Sequence, residues 1–153
     1  MNIRKFRSRV PGLRVFARLR IFASDKKMDM LKTLLIVGGG SFLGGIARYL
    51  VKIGCEKGFR ITAWPLGTFL VNIVGCFLIG LFYGWAARHT GLSRDLLLFL
   101  TFGLCGGFTT FSTFIHENFS LLQAGAALTM LGYMALSVLS GFICLWFGTL
   151  LAR

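Results

Sequence analysis

Residues 96–122 read LLLFLTFGLCGGFTTFSTFIHENFSLL, and the fold turns on how this stretch is understood. It is longer than the ~20 apolar residues that cross a bilayer, yet its centre holds Gly106, Gly107, Thr109 and Thr110. A lipid-facing helix would carry Leu or Ile there. The composition predicts a spanning helix interrupted at mid-membrane, unwound at Gly106–Gly107. Carbonyls freed at that depth must be buried in protein, hydrated or bound to an ion, and carbonyl oxygens suit a small hard cation such as sodium. The other reading is a glycine kink whose carbonyls are satisfied by Ser/Thr hydroxyls.

Outward from this stretch, three further apolar runs are evident. Leu31–Val51 is the first span, followed by a charged loop from Lys52 to Ala63 that holds Glu56, Lys57 and Arg60. Trp64–Ala87 is the second, opened by an interfacial Trp and by Pro65 at a helix-start position, and closed by Arg88, His89 and Gly91. Gly125–Leu151 is the last, after a short turn. The expected architecture is all-α: four transmembrane helices at about 31–51, 64–87, 96–122 and 125–151, with both ends of the chain on one side.

Composition agrees. The 153 residues are 56% hydrophobic and 14% charged, with mean hydropathy +0.75, whereas soluble domains carry roughly 25% charge. A water-soluble fold and a separate catalytic domain are excluded by this count, and no enzymatic activity is expected. Cys55, Cys76, Cys105 and Cys144 show neither CxxC spacing nor a Cys/His cluster, so they read as small apolar filler.

The formal net charge of +12 is uneven. Residues 1–30 hold nine Lys/Arg and two Asp, without an apolar run long enough for a secretory signal. This basic extension is expected to be disordered or a mis-assigned start, Met28 and Met30 being alternative initiators. It could also lie on anionic lipid, and no nucleic-acid partner is expected. Beyond it, Lys32, Arg88, Arg94 and Arg153 fall on the terminus side of the membrane, and Arg48, Lys52, Lys57 and Arg60 on the other. Cationic loops favour the cytoplasm. Four against four states no preference, which suits a chain that inserts both ways and pairs as an antiparallel homodimer.

Polar groups inside hydrocarbon are costly and therefore informative. Thr68, Asn72 and Cys76 share a face of the second span at four-residue spacing. Asn72 is the lone amide there, serving either an interhelical hydrogen bond or donation of its NH₂ to an anion stripped of water. Phe111 and Phe114, three apart, share a face if the chain is helical there. They either pack, or present electropositive ring edges to an anion that a fixed cation would hold too tightly for release. Tyr133, Ser137 and Gly141 form a narrow polar stripe in the last span, with Ser140 beside it. Glu117 is the sole carboxylate within a span, and Arg48 the basic residue near the end of the first. Gly40/Gly44 and Gly80/Gly84 are GxxxG pairs that allow close helix approach.

Three motifs, GGGSFLGGIARY (38–49), PLGTFLVNIVGCFLIG (65–80) and GLCGGFTTFSTF (103–114), resemble the CrcB/Fluc family of fluoride channels, over about Leu31 to Leu151. The resemblance implies a dual-topology antiparallel homodimer in the cell (inner) membrane, in contact with lipid, that passively exports fluoride and lowers its toxicity. It implies a fluoride pore with Asn72, Phe111 and Phe114, a polar track drawing on Thr110, Ser112, Thr113, Tyr133 and Ser137, and Arg48 near a vestibule. It further implies a structural sodium ion on the dimer axis, held by backbone carbonyls of Gly106 and Thr109. The chain departs from the family pattern at Gly141, where a second Ser is frequent, and at His116. The runner-up is a small multidrug-type proton-coupled transporter, which needs a carboxylate in its first span; Leu31–Val51 has none.

Overall fold

The computed structural model describes residues 30–58, 64–88 and 92–152. The basic extension, Arg60, His89, Gly91 and Arg153 lie outside them. The described residues are helical without strands. Helix α1 runs Met30–Gly58 and α2 Leu66–Arg88. The third span comprises α3 (Arg94–Leu98), a π-helical segment π1 (Phe99–Cys105) and α4 (Gly106–Phe108), then α5 (Phe111–Gln123) after two extended residues. Helix α6 is Ala127–Leu151. Four stretches, Met30–Lys57, Leu66–Arg88, Arg94–Gln123 and Ala127–Leu151, are long and apolar enough to cross a membrane.

Helix α1 continues to Gly58, through residues read from sequence as loop. Lys and Glu are good helix formers, and Val51, Ile53 and Cys55 between them remain partly buried. At the other end of the chain, α6 begins at Ala127 rather than Gly125, because Gly125 makes the turn. Its φ of 74° lies in the left-handed region that glycine enters without steric cost, and its amide donates to the Leu122 carbonyl at 3.0 Å. Helix α3 starts on Ser93, whose hydroxyl accepts from the Leu96 amide at 3.2 Å. Lys32 and Asp95, 2.5 Å apart, tie its first turn to that of α1.

Both GxxxG pairs are helix crossings. On α1, a Cβ at Gly40 would strike the Gly103 Cα and the Phe99 carbonyl, and one at Gly44 would strike the Leu104 carbonyl and the Phe108 amide. From the facing side, Gly107 lies against the backbone of Ser41. On α2, Gly80 meets the Leu145 carbonyl and Gly84 meets Thr149 and Ala152, while Gly148 of α6 returns the contact onto Phe77 and Leu81. Backbone thus packs on backbone at both crossings, the route to tight association where no hydrophobic effect separates helix from lipid.

This settles where the third span departs from a regular helix. Gly106 and Gly107, expected to unwind, are helical, and Gly107 admits the α1 backbone at Ser41 at close range. The extended residues are Thr109 (φ −81°, ψ 157°) and Thr110 (φ −148°, ψ 117°). The large apolar side chains of α1 and α6, among them Leu35, Phe42, Leu139 and Phe142, point outward. Tyr133, Val71, Thr68 and Cys105 are the largest side chains that are fully buried.

Candidate functional site

Two consecutive extended residues inside an otherwise helical span leave peptide groups that need partners. Asn72 supplies them from α2. Its Nδ2 donates to the Thr110 carbonyl at 3.1 Å, and the Thr110 amide donates to its Oδ1 at 2.8 Å. A carboxamide has the donor and acceptor geometry of a peptide, so the pair substitutes for a strand. Arg48 on α1 donates from Nη1 to the Thr109 carbonyl at 3.1 Å. The Thr109 hydroxyl turns back to the Cys105 carbonyl at 3.0 Å. The Thr110 amide would have closed an α-helical bond to the Gly106 carbonyl, but it serves Asn72 instead, and Gly106 is exposed.

Thr110 also starts α5. Its hydroxyl accepts from the Thr113 amide at 3.4 Å, an N-cap, and donates to the Thr113 hydroxyl at 3.0 Å. The Ser112 hydroxyl is 3.5 Å away. These groups border a cleft of about 240 Å³ lined also by Arg48, Lys52 and Thr68. Its wall therefore carries two cations and a run of hydroxyls.

Beside the cleft is a second polar cluster, centred on Glu117. Its Oε1 accepts from the Thr68 hydroxyl at 2.6 Å and lies 3.6 Å from Lys52 Nζ. Its Oε2 accepts from the Tyr133 hydroxyl at 3.1 Å. The Tyr133 ring is packed between Trp64 and Phe114, with centroids at 5.2 and 5.1 Å. The hydroxyl of Ser137, one turn further along α6, is buried without a hydrogen-bond partner among the described residues.

The residues singled out from sequence thus separate into groups. Arg48, Asn72, Thr109, Thr110, Ser112 and Thr113 come together around the extended pair. Tyr133 belongs to the Glu117 cluster, and Ser137 adjoins it in sequence on the same helix face. Phe111 and Phe114 have ring centroids 6.1 Å apart, inclined at 36°, but they differ in surroundings: Phe114 is 7% exposed and Phe111 75%. The tilted pair thus does not share one environment. Lys52 and Thr68 were not among the candidates. Lys52 falls at the start of the loop expected from sequence, and Thr68 is marked there only by its position one turn before Asn72. Glu117 stands out in sequence as a lone carboxylate, but its partners come from three other helices and leave no mark on its own neighbours in sequence.

Comparison with known proteins places this arrangement. The family model for CrcB-like protein, Camphor Resistance (CrcB), matches residues 35–149. A protein of Flavobacterium psychrophilum named fluoride-specific ion channel FluC is 42% identical over 123 residues, 80% of this chain and 98% of that relative. Proteins of the same name from Chlorobaculum tepidum and Chlorobium phaeobacteroides are 46% and 45% identical over 124 and 126 residues, covering 97% and 96% of their own lengths. These relatives are named as channels rather than enzymes. Both polar clusters described above, and Ser137, fall within the matched region. With four apolar helices, this is a multi-pass membrane protein, and the chain belongs to the CrcB family.

Proposed function

We propose that the protein is a fluoride-selective ion channel of the cell membrane, in bacteria the inner membrane, that lets fluoride leave the cytoplasm passively and so limits its toxicity. The observation that carries this reading is the match, along nearly their whole length, to relatives named as fluoride-specific channels. The small multidrug alternative is not favoured, since α1 has no carboxylate before Glu56.

The chemistry of the site suits the ion. Fluoride is small and strongly hydrated, so a path for it must replace water by hydrogen-bond donors without a buried fixed cation that would trap it. Arg48 and Lys52 draw the anion to the cleft. Ser112 and Thr113 then offer hydroxyl hydrogens, Thr113 polarised by the bond it receives from Thr110. Asn72 has a second amide hydrogen, and Phe111 and Phe114 have electropositive ring edges. The unpartnered Ser137 hydroxyl extends these donors along α6.

The functional unit we propose is an antiparallel, dual-topology homodimer in which the third span of each copy is interrupted at mid-membrane. The four-against-four division of Lys and Arg supports insertion in both orientations. Phe111 and Gly106 are exposed near the interruption of the span, where a second copy would cover them. A sodium ion on the dimer axis would be held by the carbonyls of Gly106 and Thr109. Their fit is chemical: the Gly106 carbonyl has lost the amide that a helix would give it, and the Thr109 carbonyl keeps one lone pair beyond that used by Arg48. The ion would hold two negative dipole ends together without entering the fluoride path.

The test is efflux of fluoride from liposomes containing the purified protein, followed with a fluoride electrode under a potassium potential, with chloride as control. Rapid efflux that excludes chloride is the expected result. A folded protein that releases no fluoride would overturn the proposal.

A further inference from the structure

Resting on the channel reading, we infer that Lys52 is a positioning residue that cancels the charge of Glu117 beside the anion cleft and thereby keeps that cleft attractive to anions. Among the described residues Glu117 is the one carboxylate bonded to the cleft wall, and its two hydrogen-bond donors, Thr68 and Tyr133, are neutral. They orient the carboxylate but leave its charge intact. Thr68 lines the cleft, yet its single hydroxyl hydrogen is spent on Glu117, so toward the cleft it offers lone pairs rather than a donor. Arg48, one turn before Lys52, is committed to the Thr109 carbonyl. Lys52 alone among these groups both lines the cleft and forms an ion pair with Glu117, at 3.6 Å, and its side chain is 41% exposed against 18% for the carboxylate.

The sign follows from these positions. Arg48, Lys52 and Glu117 together leave one positive charge at the cleft. Removing the Lys52 charge leaves none, and reversing it leaves a net negative wall facing an anion. Arg48 and Lys52 line the cleft and Glu117 lies 3.6 Å from Lys52, a separation shorter than the ~8 Å over which physiological salt screens charge. A half-exposed pair at this distance contributes little to stability, so Lys52 variants fold, and what they alter is the electrostatics of anion entry.

The experiment measures fluoride efflux from liposomes for the wild type, Lys52→Arg, Lys52→Met and Lys52→Glu, each checked for folding by size-exclusion chromatography. Lys52→Arg should stay within about 2-fold of wild type, Lys52→Met should fall about 5-fold or more, and Lys52→Glu should fall further, with all deficits shrinking in ~0.5 M inert salt. In parallel, acylation of Lys52 by an N-hydroxysuccinimide acetate, read by mass spectrometry, should be severalfold faster in Glu117→Gln, where the amine loses its anionic partner. Wild-type flux in Lys52→Met, Lys52→Arg as slow as Lys52→Met, or an unchanged acylation rate would overturn the inference while leaving the channel reading intact. Absence of fluoride flux from the wild type would instead overturn the channel reading, and this inference with it.

Discussion

Asn72 and Thr110, 38 residues apart in the chain, exchange two hydrogen bonds between a side-chain amide and a peptide group. Because that exchange replaces what the helix gives up at Thr110, Asn72 is as much a part of the backbone's hydrogen bonding as of any ion path. Asn72→Asp keeps the acceptor but removes the donor and adds a negative charge next to the Thr110 carbonyl. Fluoride efflux should fall by at least about 10-fold, and stability by about 1–3 kcal/mol from the carbonyl left unpaired. Wild-type efflux from this variant, measured with the fluoride electrode, would remove Asn72 from the path.

Thr110 caps α5 and hands its hydroxyl hydrogen to Thr113. Thr110→Ser keeps both roles and should behave nearly as wild type. Thr110→Val loses both, and should cost about 1 kcal/mol of stability for the cap together with a severalfold loss of efflux. Thermal melts in detergent and the efflux assay separate the two effects.

Tyr133→Phe leaves Oε2 of Glu117 without the donor at 3.1 Å. The ring still packs against Trp64 and Phe114, so the change isolates one hydroxyl. A destabilisation of about 1–3 kcal/mol is expected for a partly buried carboxylate that loses a partner, seen as a lower midpoint in a thermal melt. An unchanged midpoint would mean that water reaches Glu117 and replaces the hydroxyl.

The two glycine crossings make a contrasting pair of predictions. Gly44→Ala and Gly148→Ala should each prevent close approach, since backbone atoms rather than flexible side chains lie where the new methyl would go. Losses of about 1–3 kcal/mol, the range for overpacking, are expected. Gly132→Ala, at an exposed position of α6 with no atom within 4 Å, should be tolerated and slightly favourable to the helix. Yield and monodispersity on size-exclusion chromatography check all three.

If sodium links two copies through the Gly106 and Thr109 carbonyls, exhaustive exchange of sodium for N-methylglucamine should lower the thermal midpoint of the assembly and its efflux, and sodium should restore both. Indifference to the exchange would remove the ion from the proposal.

Much of this was legible in the sequence because the membrane imposes simple rules. Runs such as 125–151 read as spans from length and apolarity, and small residues at Gly40/Gly44 and Gly80/Gly84 read as places of close helix approach. Asn72 stood out for the same reason, as an amide with no water to satisfy it. What was not legible depends on tertiary placement. Gly106 and Gly107 read as the point of unwinding by propensity, but both are helical, Gly107 packed against Ser41 of α1, and the extended backbone falls on Thr109 and Thr110. Glu117 gathers Lys52, Thr68 and Tyr133 from three other helices, so no periodicity within one segment announces the cluster. Lys52 was hidden by its charge, which resembles the beginning of a loop although the helix continues past it.

The π-helical segment Phe99–Cys105 has a consequence for how this chain can vary in length. A π turn holds more residues than an α turn for the same advance around the axis, so the segment stores surplus chain just before the extended threonines. Losing one residue from it can be absorbed by tightening toward α geometry, with Thr110 still delivered to Asn72. The same deletion in α2, which has no such surplus, would turn every later side chain away from its partner. The third span therefore carries slack where the others are taut, and single-residue deletions should be survived there first.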